Sequence, residues 1–452
     1  VATLALVGVV MLGLTLVLAL SAVRTSPAGT PVYPPFPIPV LHEDTRLMLQ
    51  LLRWMFPYVL LVCLAALCMG ILNARGHFFL PAMGATMLNV VMIATVLLVA
   101  PRFGATLETQ IFALAAGVLV AGGAQVLFQL PALWKEGFRY RWISPWRDET
   151  VREVVRKMTP AAFGLAAFQI NVLLIQGLAF WVDRWVVASF DYAVRLMEFP
   201  QGIVGASLAT YLLPTLAGLA AEKRYGEFCA NLREGLSHLL FINLLAAALL
   251  LVLAEPIVRL LFERGEFQAG ATQRAALAVA CLAPSLVAYS TVNLLARAFY
   301  ALGDTQTPMK VSVVCLGVNL LFAAMLLGPL RQGGLGLANT FSSALNAWLL
   351  LHALRRKLSR LQLDQLRKQV LPLLGLTALA GVTAFVCLRV WQARLGHASL
   401  ALRLGEVFVP MLAASVVYWG LALAYRVPQA QAIGTALYHR FRPGAEPPER
   451  TG

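Results

Sequence analysis

Charge is the scarcest commodity in this chain. Asp, Glu, Lys and Arg make up 13% of its 452 residues, about half the share of an average soluble domain. Metal and redox chemistry lack their usual spacings as well. The six cysteines, Cys63, Cys68, Cys229, Cys281, Cys315 and Cys387, contain no CxxC pair, and the six histidines form no HxxxH or HExxH. Lying mostly in apolar runs, these cysteines read as small apolar side chains, not as disulfides or metal ligands. There is no GxSxG, no P-loop and no aspartate-rich diphosphate motif, so nothing points to an enzyme. Strand-like alternation of a membrane barrel is missing too, which leaves helices as the spanning element. The chain opens at Val1 inside an apolar run with no basic segment before it. That is not a signal peptide, and the natural N-terminus is expected to lie upstream.

What the chain does have is apolar length. Hydrophobic residues make up 60% of it and the mean hydropathy is +0.75, the composition of a multi-pass membrane protein. Twelve runs reach the ~20 residues a spanning helix needs. They fall near 1–23, 46–72, 81–100, 109–133, 159–187, 191–218, 233–254, 271–300, 309–329, 334–354, 370–390 and 404–425. The fold class expected is therefore an all-α polytopic bundle. The net charge of +15 sits in short loops between runs, which excludes a nucleic-acid partner and suits anionic headgroups of membrane lipids. Alternating loops divide unequally: 21 Lys and Arg lie on the side that carries 134–158 and nine on the other. The positive-inside rule then places loop 134–158 and the C-terminus in the cytoplasm.

The connections differ in character. Loop 24–45 is proline-rich and reads as an extended external connector. Loop 134–158 mixes Trp, Tyr and Arg, as an interfacial anchor does. Segment 255–269 is too polar to span and reads as a short amphipathic helix on the external surface. Linker 355–369 is basic, either a solvated loop or a surface helix on anionic lipid, and it separates the last two spans from the rest.

Within the spans, 191–214 (DYAVRLMEFPQGIVGASLATYLLP) stands out. Arg195 and Glu198 are three residues apart and share a helix face, with Pro200 directly behind. Charge inside a membrane must face protein or water. Two readings stand: an ion pair that holds the bundle together, or an anion site on a transport path. Arg53, just before Pro57, snorkels to the interface or meets a ligand. Arg297 closes its helix, where a cation suits the dipole. Gln169, Asn171 and Gln176 form a polar stripe, and Asn319 adds an amide to a later span. These amides suit interhelical hydrogen bonds or a monovalent cation. Asp183 and Arg184 read as an interfacial pair. Many helices, intramembrane charge and spans broken by Gly and Pro suit a transporter.

The segments RWMFPYVLL, GILNARGHFFLPAMGATMLNVV, YAVRLMEFPQGIVGASLATYLLPTLA, ARAFYALGDTQTPMK and GPLRQGGLGLANTFSSALNAWLLL occur in this order. Together they resemble the MviN/MurJ family of lipid II flippases, within the multidrug/oligosaccharidyl-lipid/polysaccharide (MOP) exporter superfamily. The resemblance covers nearly the whole chain, and RLMEFP is its most specific element. It implies fourteen helices, as two six-helix lobes around a central cavity plus a helix pair forming a lipid groove. On that register, residues 1–133 are the third to sixth helices, 159–354 the second lobe and 370–426 the groove pair, with 427–452 a cytoplasmic tail. The first two helices, which carry other cavity arginines and an aspartate, would lie upstream.

The resemblance further implies movement of an undecaprenyl-diphosphate-linked peptidoglycan precursor across the inner membrane by alternating access, without a cofactor and with a monovalent ion involved. Arg195 and Glu198 match the family's motif, although Val194 stands where the family often has Asp. Ile175 or Gln176 occupies the position of the sodium-binding carboxylate found in some members, leaving Asn319 as the ion ligand carried over. Another MOP lipid-oligosaccharide flippase, a cation/drug antiporter and a non-transporting scaffold for wall synthesis are the alternatives.

Overall fold

Proline and short polar side chains decide where the long apolar runs break. The expected span 46–72 divides at Pro57 into α2 (Glu43–Met55) and α3 (Tyr58–Ala74), because proline supplies no amide hydrogen and disfavours helix in the residue before it. The computed structural model describes residues 2–20, 24–25, 31–32, 43–77, 79–139, 149–358, 363–432 and 434. These fall into two compact units, 1–148 and 149–452.

The first unit holds α1 (Ala2–Leu20), a two-residue antiparallel pairing of β1 (Arg24–Thr25) with β2 (Pro31–Val32), then α2, α3, α4 (Phe79–Ala94), α5 (Ala100–Phe103) and α6 (Leu107–Lys135). A π-helical turn, Thr95–Val99, joins α4 to α5 ahead of Pro101. The helix α6 packs on α2, α3 and α4. Close approach depends on Gly122, where a β-carbon would lie 2.8 Å from the Tyr58 ring and 2.9 Å from Leu61. Small residues are what allow such contact between membrane helices, where lipid removes the hydrophobic drive to associate.

The second unit holds α7 (Glu149–Val182), α8 (Arg184–Pro200), a π segment (Gln201–Ala206), α9 (Ser207–Ala221), α10 (Tyr225–Val252), α11 (Ala254–Phe262), α12 (Ala269–Leu282), α13 (Ser285–Ala301), α14 (Gln306–Leu330), α15 (Gln332–Lys357), α16 (Leu363–Arg394) and α17 (Leu400–Ala424). Its organising element is α10, which contributes to three apolar clusters. Leu232, Leu236 and Leu239 meet Leu294, Leu295 and Leu350. Ala247 joins Ala193, Met197 and Val279. Phe241 packs with Leu373, Ala414 and Tyr418, and the Tyr418 hydroxyl donates to the Phe241 carbonyl at 2.8 Å. A helix that buries several faces at once belongs in the interior of a bundle.

Among the described residues, seven helices are long and apolar enough to span, or eight counting α12 with α13, which bend by 45°. Three shorter apolar segments, Val7–Leu18, Gln169–Val182 and Leu212–Ala221, coincide with expected spans, and α15 covers the remaining one with a more polar sequence. Other expectations need correction. Residues 149–158 of the expected loop 134–158 are helical, Glu149 favouring the N-terminal dipole of α7; 140–148 lie outside the described residues. The break expected near 187–191 falls at Asp183, whose carboxylate caps α8 by accepting from the Trp185 amide at 3.0 Å. Linker 355–369 is largely helix, with 359–362 and the tail beyond 434 outside the described residues.

Candidate functional site

The helix α8 sorts its side chains cleanly. Val186, Ser189, Ala193 and Met197 are buried at helical spacing, and α12 packs against this helix. Asp191, Arg195 and Glu198 run along another face and are exposed. Arg195 Nη1 donates to Glu198 Oε2 at 3.3 Å, with 69% and 56% of the two side chains exposed. The expected pairing is present, and the pair does not bridge two helices. Directly after it, Pro200 withholds an amide hydrogen and the path continues as the π segment 201–206. Such insertions bend a helix and recur at functional sites.

That segment packs on α13, the helix that carries Arg297. Leu294, Leu295 and Ala298 are fully buried beside it, while Arg297 is half-buried at the margin and has no side-chain hydrogen bond among the described residues. On α14, Asn319 is half-buried and likewise unbonded. Of the polar stripe, Asn171 serves packing: its amide donates to the Leu316 carbonyl of α14 at 3.1 Å. Arg53 belongs to the first unit, in the last turn of α2, half-buried and favourably placed for the helix dipole.

Two ion pairs tie loops together. Asp183 pairs with Arg331 at 3.1 Å, and the side chain of its expected partner Arg184 lies outside the described residues. Asp304, from the ALGDTQTP segment, accepts from Thr307 N at 3.0 Å and Thr307 Oγ1 at 2.8 Å, and pairs with Lys357 at 2.8 Å. Lys357, then the Thr307 donors, hold its carboxyl well below the usual carboxylate range.

Sequence reasoning missed the most buried charge cluster among the described residues. Segment 255–269 is helical only as α11, and its Arg259 is buried, not on a free surface. Arg259 Nη1 donates to Glu406 Oε1 of α17 at 2.9 Å, with a second partner in Glu255 and a third in Glu263 at 3.8 Å. Gln392 of α16 also donates to Glu406 Oε1, at 2.8 Å, and Arg403 meets Glu263 at 3.4 Å. One signal was available: Glu406 is a carboxylate inside an apolar run, and such a group requires a partner.

The model of a protein family described as Lipid II flippase MurJ matches residues 2–406. The probable lipid II flippase MurJ of Haemophilus influenzae is 32% identical over 313 residues, covering 68% of this chain and 60% of that protein. The lipid II flippase MurJ of Burkholderia cenocepacia is 33% identical over 324 residues, covering 70% and 62%. The chain thus spans about three fifths of the length of these relatives. Among solved structures, a lipid II flippase MurJ in an inward closed conformation superposes with a TM-score of 0.69 at 16% identity, over 93% of this chain and 82% of that one. An inward-facing multidrug resistance MATE family transporter of the MOP superfamily gives 0.63 at 15% identity, over 80% of each. The helical fold is the one these transporters share, and the chain belongs to the MurJ family.

Proposed function

We propose that this protein moves lipid II, the undecaprenyl-diphosphate-linked peptidoglycan precursor, from the cytoplasmic to the periplasmic leaflet of the bacterial inner membrane. The observation that carries the reading is the exposed Arg195–Glu198 pair on an unbroken helical path over 184–221, within the chain's most family-specific motif. Charge at membrane depth is retained where it faces water or a ligand, not hydrocarbon. A diphosphate cannot cross hydrocarbon bare. A guanidinium offers it two parallel hydrogen bonds in place of water. In this reading Glu198 holds Arg195 when the site is empty, and the diphosphate takes over that bond when the headgroup arrives. Arg297 supplies further positive charge from α13.

The lipid tail stays in the bilayer along the α16–α17 pair, and access alternates between the two faces with no covalent step and no cofactor. Two solved relatives named for inward conformations support such a cycle. Asn319 is assigned to a monovalent cation. The charge bias of the loops supports a cytoplasmic C-terminus, and the pairs His77–Glu136 and Asp304–Lys357 join loops that this orientation puts on one side.

Complementation tests the reading. Expression of the natural gene in cells depleted of their own lipid II flippase is expected to restore growth and lipid II export. Normal membrane levels without export would favour a scaffold, and drug efflux without export an antiporter.

A further inference from the structure

Asn243 of α10 and Ser290 of α13 are completely buried. The amide nitrogen and oxygen of Asn243 and the hydroxyl of Ser290 make no hydrogen bond among the described residues. An unpartnered polar group is costly in any protein interior, and at membrane depth no bulk water stands in for the missing partner.

The two residues share a level in the bundle. Asn243 lies one turn from Leu239, in the apolar cluster with Leu294, and one turn from Ala247, in the cluster with Leu286. Ser290 lies one turn from Leu294 and one turn from Leu286, so both side chains stand at the seam where the two clusters meet. The path from α8 to α9 crosses the same seam. Met197 belongs to one cluster and Leu212 to the other, with the π segment Gln201–Ala206 between them. Both α10 and α13 pack against that segment. Three helical paths therefore cross the seam, two with an orphaned polar side chain and one with an irregular backbone behind Pro200.

In a π turn each amide bonds the carbonyl five residues back, and in an α-helix the one four back. When α8 changes its bend at 201–206, amides exchange one acceptor for the other, and backbone groups stand unpaired during the exchange. We propose that Asn243 and Ser290 are positioning residues for this hinge. They take up the backbone groups that 201–206 releases as α8 turns, and they stand idle in the conformation of this structure. A carboxamide and a hydroxyl each offer both a donor and an acceptor, so a released amide or carbonyl finds a match. Polar groups that only held the bundle together would be bonded to it already, and these are not. Because 201–206 lies directly behind Arg195 and Glu198, a turn there re-aims that pair. The inference thus rests on the transport reading and adds to it the residues that set the swing of α8.

Hydrogen–deuterium exchange of the full chain in lipid nanodiscs, without substrate, reads the hinge separately from transport. Asn243→Leu keeps the shape of the side chain and removes its orphaned groups, and Ser290→Ala does the same at the second position. Each should leave the thermal unfolding temperature unchanged or raise it, because no bonded group is lost. Amide exchange at 201–206 should slow about tenfold in Asn243→Leu and about threefold in Ser290→Ala, the cost of leaving a released backbone group unpaired. Exchange in α14 should match wild type. Outer-leaflet lipid II in flippase-depleted cells should fall in parallel with the slowed exchange. A lower unfolding temperature in both variants would reveal hydrogen bonds in the resting fold and overturn the proposal, as would unchanged exchange at 201–206. Slower exchange in variants of a protein that moves no lipid II would uphold the hinge and refute the transport reading instead.

Discussion

Removing Arg259 should destabilise the second unit more than removing the glutamate it neutralises. The asymmetry follows from the partners. Glu406 is completely buried and has Arg259 and Gln392 as donors to Oε1, while its Oε2 is buried without a hydrogen bond among the described residues. Arg259 has two further carboxylates, Glu255 and Glu263. Arg259→Met strands a carboxylate in the interior, a loss of about 3–5 kcal/mol. Glu406→Gln leaves the guanidinium two carboxylates and keeps an acceptor facing it, so its cost is about 1 kcal/mol. The double variant Arg259→Met/Glu406→Leu replaces the pair by apolar groups and should recover most of the loss, because buried ion pairs rarely outperform well-packed apolar ones. Unfolding in mixed micelles of rising SDS content, followed by tryptophan fluorescence, measures all three. If Arg259→Met proved no more costly than Glu406→Gln, or if the double variant recovered nothing, the pair would not be the buried charge contact that joins α11 to α17.

Two more expectations concern the same unit. Asp304→Asn should lower the thermal unfolding temperature near neutral pH by loosening both the Lys357 contact and the start of α14. A carboxyl with a depressed folded-state pKa stabilises above its unfolded value, about 3.9, and loses that contribution as pH falls toward the lowered one. The gap between wild type and Asp304→Asn should therefore close on acidification, and a gap independent of pH would remove the charge from the explanation. Gly336 sets the approach of α15 to α12: an added β-carbon would lie 2.9 Å from Cys281 Cβ and 3.1 Å from the Ala278 carbonyl. Gly336→Ala should cost about 1–3 kcal/mol. Gly317→Ala, with no atom within 4 Å, should be neutral or stabilise by up to about 1 kcal/mol; similar losses at both sites would show that packing at Gly336 is not the cause.

Much of this fold was legible because spanning helices must satisfy their backbone internally and need a fixed apolar length. Helix ends were less so, since they depend on single residues: the expected span 159–187 runs past Asp183, yet its cap ends one helix and starts the next. The α8 motif was legible because Arg195 and Glu198 are three residues apart and local geometry alone brings them together. Arg259 and Glu406 are 147 residues apart, and no local spacing announces them. Segment 255–269 read as an amphipathic helix on the surface until the approach of α17 to α11 buried its Arg259.

The most direct test of the central reading is lipid II leaflet occupancy in cells depleted of their own flippase. These cells would carry wild type, Arg195→Ala or Arg195→Lys at matched membrane levels. Lipid II is then titrated with a membrane-impermeant reagent added outside. An exposed pair three residues apart contributes only about 0.3–0.5 kcal/mol, so Arg195→Ala should fold normally. Wild type should expose lipid II on the outer face and Arg195→Ala none above background. Arg195→Lys should fall between them, because lysine lacks the paired donors. Outer-leaflet lipid II at wild-type levels in Arg195→Ala would contradict the assignment of Arg195 to the diphosphate.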